Sequence, residues 1–297
     1  MIAENYKWGA TDDGNIQLVN VETADYDSVE QPEIVYKYRC WHNSKSPFHD
    51  NILLNNEIYI PSPSEFFDKK DCSNPTRYDI LNHDERVVLC QRILRNKHPR
   101  YNEDAILRLA KSYAESPRLQ DKAWMEEVDR RNWNDYNKFT GVFSVTDNEL
   151  NPDLWGAYGD NFKGICYGFD TKLITQDVGF KAGGLVSYVE ELPVIHPFDE
   201  FPKMFFKRVF CKTKEWEFEQ EYRLMTNDYL PRTRPFREST LREVIIGHNM
   251  PEKYVNEIIM HLGQRQTGVK LFQTEPIKNF LSRKEIVVKS TKNLAKQ

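Results

Sequence analysis

Glu219 and Glu221 stand two residues apart in the stretch Lys214-Glu215-Trp216-Glu217-Phe218-Glu219-Gln220-Glu221-Tyr222-Arg223-Leu224. The stretch alternates, with Glu215, Glu217, Glu219, Glu221 and Arg223 on one parity and Trp216, Phe218, Tyr222 and Leu224 on the other. A period of two reads as a single β-strand with an aromatic underside and a carboxylate row above it. Neighbouring carboxylates on such a face lie roughly 7 Å apart, and they repel unless water, a cation or a polar ligand attends them. The row is either the solvated face of an amphipathic strand, with Lys214 and Arg223 as its partners, or the floor of a site. In the second case Glu219 and Glu221 form an E-x-E pair. One carboxylate of such a pair orients a hydroxyl or nucleophile while the other stabilises a developing cation. The pattern leaves both readings open.

Two further patches carry residues suited to binding. In Leu154-Trp155-Gly156-Ala157-Tyr158, Trp155 and Tyr158 share a face at helical spacing, as a core anchor or as an aromatic shelf for a planar ring. In Tyr36-Lys37-Tyr38-Arg39 the tyrosines take one face of a strand and the cations the other. Arg39 is there either a surface charge or a bidentate clamp for phosphate. The seven histidines form no H-x-x-H or H-E-x-x-H pair, which disfavours a metal hydrolase. A third use of the acidic row, as a metal-dependent nuclease site built on Glu217, Glu219 and Glu221, lacks the Asp or His ligands it would need. There is no G-x-S-x-G elbow, no G-x-G-x-x-G and no phosphate-binding P-loop, so serine hydrolases, Rossmann dehydrogenases and P-loop ATPases are disfavoured.

These residues must be positioned by a chain of 297 residues, long enough for a substantial core. A 13% aromatic content argues against disorder. The net charge of −4 gives no global footprint for nucleic acid, although basic residues cluster at 92–100, 203–214 and 232–242. Five widely spaced cysteines without a C-x-x-C pair point to reduced thiols and a cytoplasmic location. No apolar run approaches the ~20 residues of a membrane span, and the N-terminus has no signal-peptide pattern.

Strand-like alternation at 34–39, 57–60, 140–145, 164–169, 185–189, 241–246 and 269–272 is interrupted by helical spacing at 84–95, 103–116 and 119–136, with shorter helical turns at 50–56 and 153–158 and a helix at 251–262. Pro99 and Pro117 separate the three central helices. The expected fold is α+β, with a mixed or antiparallel β-rich core and a helical insertion at about 76–138. An acidic N-terminal arm at 1–33, one domain at 34–280 and a basic, frayed tail at 281–297 complete the expected organisation.

Several motifs in order now point to a family: Tyr36-Lys37-Tyr38-Arg39; Ile58-Tyr59-Ile60-Pro61-Ser62-Pro63-Ser64-Glu65-Phe66 with Asp68 and Asp71; Phe143-Ser144; Leu154-Trp155-x-x-Tyr158 with Lys163-Gly164-Ile165-Cys166-x-Gly168-Phe169-Asp170; and Lys214-x-Trp216-x-Phe218-Glu219-x-Glu221-Tyr222-Arg223. Over 34–248 they resemble the bacterial family designated domain of unknown function 2971. The chain departs from that pattern at Phe67, Lys69 and Lys70, and at Gly156 and Ala157.

The same motif order is similar to that of ADP-ribosyltransferases, with a basic residue ending a first strand and a late E-x-E. This second resemblance implies a split sheet and NAD as co-substrate. It assigns cofactor binding to Arg39, Tyr38, Ser144, Trp155, Tyr158 and Arg223, with Trp155 and Tyr158 stacking on nicotinamide. Glu221 would stabilise the ribosyl cation and Glu219 would position the acceptor. The implied activity is that of a toxin or anti-phage effector modifying a protein or nucleic acid, with no membrane role. Its alternative is a non-catalytic nucleotide sensor, or a module that binds a neutralising or sensor partner protein.

Overall fold

The computed structural model describes residues 6–10, 16–20, 31–44, 46, 48–116, 121–228, 232–278 and 280–288. In chain order the strands are β1 (Tyr6–Ala10), β2 (Ile16–Asn20), β3 (Ile34–Arg39), β4 (Glu57–Tyr59), β5 (Thr140–Thr146), β6 (Ile165–Asp170), β7 (Ala182–Leu185), β8 (Ser187–Val189), β9 (Cys211–Thr213), β10 (Glu221–Asn227), β11 (Thr233–Pro235), β12 (Leu241–Ile246), β13 (Lys270–Ile277) and β14 (Phe280–Ile286). The helices are α1 (Phe48–Leu54), α2 (His83–Lys97), α3 (Glu103–Ala114), α4 (Lys122–Phe139), α5 (Pro152–Ala157), α6 (Thr171–Val178), α7 (Phe201–Val209) and α8 (Glu252–Gln264).

The fold is α+β. Eight strands form one twisted sheet in the order β7-β10-β5-β3-β6-β12-β13-β14, and β2 and β1 extend it beyond β7. Pairing is mostly antiparallel, with parallel pairs at β12–β13 and β2–β7. The centre of the sheet is weakly joined. β3 pairs with β6 through six residues, but meets β5 only at Tyr36 and Thr146.

Alternation along the strands divides the core into layers. On one face Val35, Phe143, Val145, Tyr167, Phe169 and Leu224 pack beneath Ile52 and Leu53 of α1, Ile174 and Val178 of α6, and Ile258 and Leu262 of α8. The opposite face carries two separate clusters. One joins Val142 and Met225 to Phe206 and Val209 of α7. The other joins Tyr36, Tyr38, Cys166 and Ile245 to Leu154 and Trp155 of α5. A cleft lies between them, over the weak junction of β3 and β5.

Helices α2, α3 and α4 occupy the inserted block. The first two share a small core of Val87, Cys90, Leu94, Ile106, Ala110 and Ala114. Helices are not confined to that block, since α6 and α7 arise where no helical spacing is expected. Short local signals support α6: the Asp170 side chain accepts from the Leu173 amide, and Gly179 closes the helix in the left-handed region at φ 76°. The segment from 281 is also not simply a frayed tail. β14 pairs with β13 along seven positions, and Arg283 reaches Glu243 at 2.6 Å. Parts of the expected arm (1–5, 11–15, 21–30) and tail (289–297) lie outside the described residues. So does 119–120, the expected start of the third helix. Among the described residues, no helix is long and apolar enough to cross a membrane.

Candidate functional site

The acidic stretch is not one strand. Lys214–Glu219 forms a 3-10 helix, Gln220 adopts the left-handed conformation (φ 46°, ψ 49°), and β10 begins only at Glu221. A glutamine, unlike glycine or asparagine, adopts this geometry rarely unless its surroundings fix it, and here they do. Asn148 donates to the Gln220 side-chain carbonyl at 2.9 Å, and Asn151 donates to the Phe218 carbonyl at 2.7 Å. Asn151 also caps α5 by accepting from the Asp153 and Leu154 amides. The residue that starts α5 therefore also holds the turn carrying Glu219.

The turn exposes Glu215 and Glu217 and buries Glu219 and Glu221. Both buried carboxylates converge on Lys212 of β9. Its Nζ donates to Glu221 Oε1 at 2.7 Å and to Glu219 Oε2, and lies 3.5 Å from Asp71. Lys212 was not indicated by local pattern, because the contact depends on β8–β9 pairing and the turn that follows. Lys214, a partner expected for the acidic row, instead pairs with Glu190.

Arg223 anchors the other side of this network. Its guanidinium is wholly buried, donating to Glu221 Oε2 at 2.8 Å, to both oxygens of Asp71 at 3.0 and 2.6 Å, and to the Val209 carbonyl. Arg223 is thus a positioning residue beneath the site, not the cofactor contact that the resemblance implies. Trp155 is also displaced from its expected role. It is fully buried, donates to the Glu149 carbonyl at 3.0 Å, and packs edge-on against Tyr38 at 5.2 Å. The larger side chain of the pair anchors the core, and Tyr158 alone reaches the cleft. The Tyr158 ring is 40% exposed, and its hydroxyl donates to Glu219 Oε1.

The cleft of about 230 Å³ is lined by Lys37, Tyr38, Arg39, Ser144, Tyr158, Lys212, Glu219 and Glu221, with Phe66, Phe67 and Asp68 on its lip. Six of the eight expected residues therefore meet in one place; Trp155 and Arg223 lie beneath it. Lys37 fills the gap between the diverging strands and donates to the Ser144 carbonyl. Arg39 donates to the Tyr38 carbonyl at 3.2 Å. Among the described residues neither cation has a carboxylate within ion-pair distance.

The electrostatics separate the two glutamates. Burial pushes the Glu219 carboxyl up, and its hydrogen bond with Glu221 and the charge of Glu221 push it further, to about 7 against the opposing pull of Lys212. Burial also pushes Glu221 up, but Arg223 and then Lys212 outweigh it and hold that carboxyl well below the usual range. Near neutrality the pair's last proton is therefore only partly bound, on the Glu219 side, while Glu221 stays ionised. Two carboxyl groups held apart in this way suit division into a titrating base and a fixed anion. Burial, then the charge of Arg39, holds Lys37 well below the usual lysine range, and burial lowers Arg39 to about 10. An anion entering the cleft would reverse both shifts.

Among the described residues, no group of His, Cys, Asp and Glu is arranged to hold a metal ion. The Lys212 ammonium occupies the space between Asp71, Glu219 and Glu221. Because the folded-state pKa of Glu219 is raised, its contribution to stability is full below the unfolded value and lost as pH rises through about 7. Thermal melting between pH 5 and 8 is expected to show this decline, and Glu219→Gln is expected to flatten it. An unchanged slope in the variant would assign the decline elsewhere.

Comparison of the chain with protein-family models, with curated proteins and with solved structures returns no match.

Proposed function

We propose that this chain is an NAD-dependent ADP-ribosyltransferase of effector type, related to the domain of unknown function 2971 family and acting on a protein or nucleic-acid acceptor. The observation that carries this reading is the meeting of Arg39, Tyr158, Glu219 and Glu221, from three separate stretches of sequence, in one cleft at a split in the sheet. The late E-x-E and the weak junction in the sheet support this reading only by analogy of pattern with ADP-ribosyltransferases.

In the proposed reaction the bond between ribose C1′ and the nicotinamide nitrogen breaks, and its electron pair leaves with neutral nicotinamide. The positive charge left on the ribose faces Glu221, whose ionised state is already fixed by Arg223 and Lys212, so little reorganisation is needed. An acceptor O–H or N–H then bonds to C1′ and yields its proton to Glu219. Lys37 and Arg39 supply positive charge for the diphosphate. The cleft is smaller than the usual range for ligands of this size, roughly 300–1,000 Å³. It suits the nicotinamide–ribose end and leaves the adenosine end at the lip, where Phe67 is 93% exposed.

Incubation with NAD labelled in the adenosine half, with and without cell lysate, tests this reading. The expected result is nicotinamide release, with label joined to protein, RNA or DNA. No nicotinamide release under either condition would sink it. A second reading is favoured by one observation, that both Glu221 oxygens are already engaged by cations. Under it the chain is a non-catalytic nucleotide sensor, and NAD binds in equilibrium dialysis but is recovered intact.

A further inference from the structure

A second cleft, of about 470 Å³, opens between α4, the 63–76 segment and α7. Its volume lies within the usual range for small-molecule sites. One wall is aromatic. The rings of Trp133 and Tyr136 are 5.6 Å apart between centroids, inclined by 35°. The Arg208 guanidinium lies 5.4 Å from the centre of the Tyr136 ring. It is fixed there by bonds of 3.0 Å to the Asn74 carbonyl and 3.0 Å to the Thr76 hydroxyl. Among the described residues it has no carboxylate within ion-pair distance. Asp129 also lines the cleft, and burial raises its carboxyl against the pull of Arg208. The Tyr136 hydroxyl is buried and has no hydrogen-bond partner among the described residues.

We propose that this second cleft binds a nucleotide, with the base stacked on Trp133 and Tyr136 and the phosphate held by Arg208. The chemistry narrows the guest. A planar heterocycle is what two inclined aromatic rings and a guanidinium stack upon. A cationic guest is disfavoured, because a guanidinium already sits against the Tyr136 ring. An aliphatic guest would leave the half-buried Asp129 carboxyl in the cleft wall without a polar partner. A base supplies a hydrogen-bonding edge for it, and a phosphate supplies the anion that Arg208 lacks. This site is separate from the first cleft and does not depend on the proposed transferase activity, although the chain between 61 and 76 lines both.

The bound base could belong to a free nucleotide or to a single strand of nucleic acid. Calorimetric titration of the full chain with the four ribonucleoside monophosphates, and with a mixed-sequence single-stranded RNA, separates these sources. Binding is expected to at least one probe. Trp133→Ala, at a half-exposed position on α4, is expected to weaken it by about tenfold or more, and Arg208→Gln to weaken it and reduce its salt dependence. Equal affinity for a monophosphate and for the RNA assigns a free nucleotide; affinity that grows with RNA length assigns a strand. Either supports the proposal. It is overturned if no probe binds, or if folded Trp133→Ala binds as the unaltered protein does. Weakening by Arg39→Gln with Trp133→Ala silent would also overturn it, by placing the nucleotide in the first cleft.

Discussion

Glu221→Gln is expected to reduce nicotinamide release from NAD by on the order of 10²–10³-fold. The substitution preserves the shape of the side chain but removes a carboxylate that Arg223 and Lys212 keep ionised beside the cleft. A neutral amide cannot balance the charge left on the ribose. The substitution also leaves two buried cations to share Asp71 and Glu219, so some loss of stability accompanies it. Glu221→Asp separates the effects. It keeps the charge in the network while withdrawing it by one methylene, and is expected to melt closer to the unaltered protein while remaining strongly impaired. Turnover and melting of both variants are to be measured side by side. Folded variants that both release nicotinamide at the unaltered rate would remove Glu221 from the chemistry.

The largest effect on stability is expected at Arg223. Arg223→Met leaves Asp71 and Glu221 buried with Lys212 as their remaining cation. Breaking a buried pair by removing one partner costs about 3–5 kcal/mol, because the group left behind keeps its charge without compensation. For a chain of this size that corresponds to a fall in Tm of roughly 5–8 °C. The deficit has a defined pH dependence. The depressed Glu221 pKa contributes stability above the unfolded value and loses it as pH falls through the folded one, so the variant should differ most at neutral pH and least in acid. Adding Asp71→Asn should recover part of the loss, since the two residues share one network. A deficit below about 1 kcal/mol at neutral pH would show that the network is not structural.

Much of the sheet was legible because burial on one face leaves a period of two. β3, β5, β6 and β12 were all expected close to where they form. The E-x-E pair was also legible, though for the wrong structural reason. Alternation implied an extended strand, whereas a 3-10 turn followed by the left-handed Gln220 brings Glu219 and Glu221 onto the same ammonium. A six-residue pattern of alternating glutamates and aromatics cannot distinguish the two, because Glu219 is placed by Asn148 and Asn151, some 70 residues away. Lys212 was hidden for a related reason: its role follows from tertiary contacts. Trp155 and Tyr158 share a helical spacing, but α5 ends at Ala157, so the later ring escapes the core face. The short helix α7 escapes notice although Phe205, Phe206 and Val209 carry a helical spacing, because its nine residues sit within a basic cluster. The weak junction of β3 with β5 has no local signature at all.

That single rung between Tyr36 and Thr146 also has a mechanical meaning. The carboxylates belong to the half of the sheet containing β10 and β5, while Lys37 and Arg39 belong to the half containing β3 and β6. Opposite charges thus face each other across the least-bonded seam of the sheet among the described residues. A substrate that is anionic at one end and becomes cationic at the other would draw on both banks at once. Its binding would act as a brace, stiffening by contact what the backbone ladder leaves nearly unbridged.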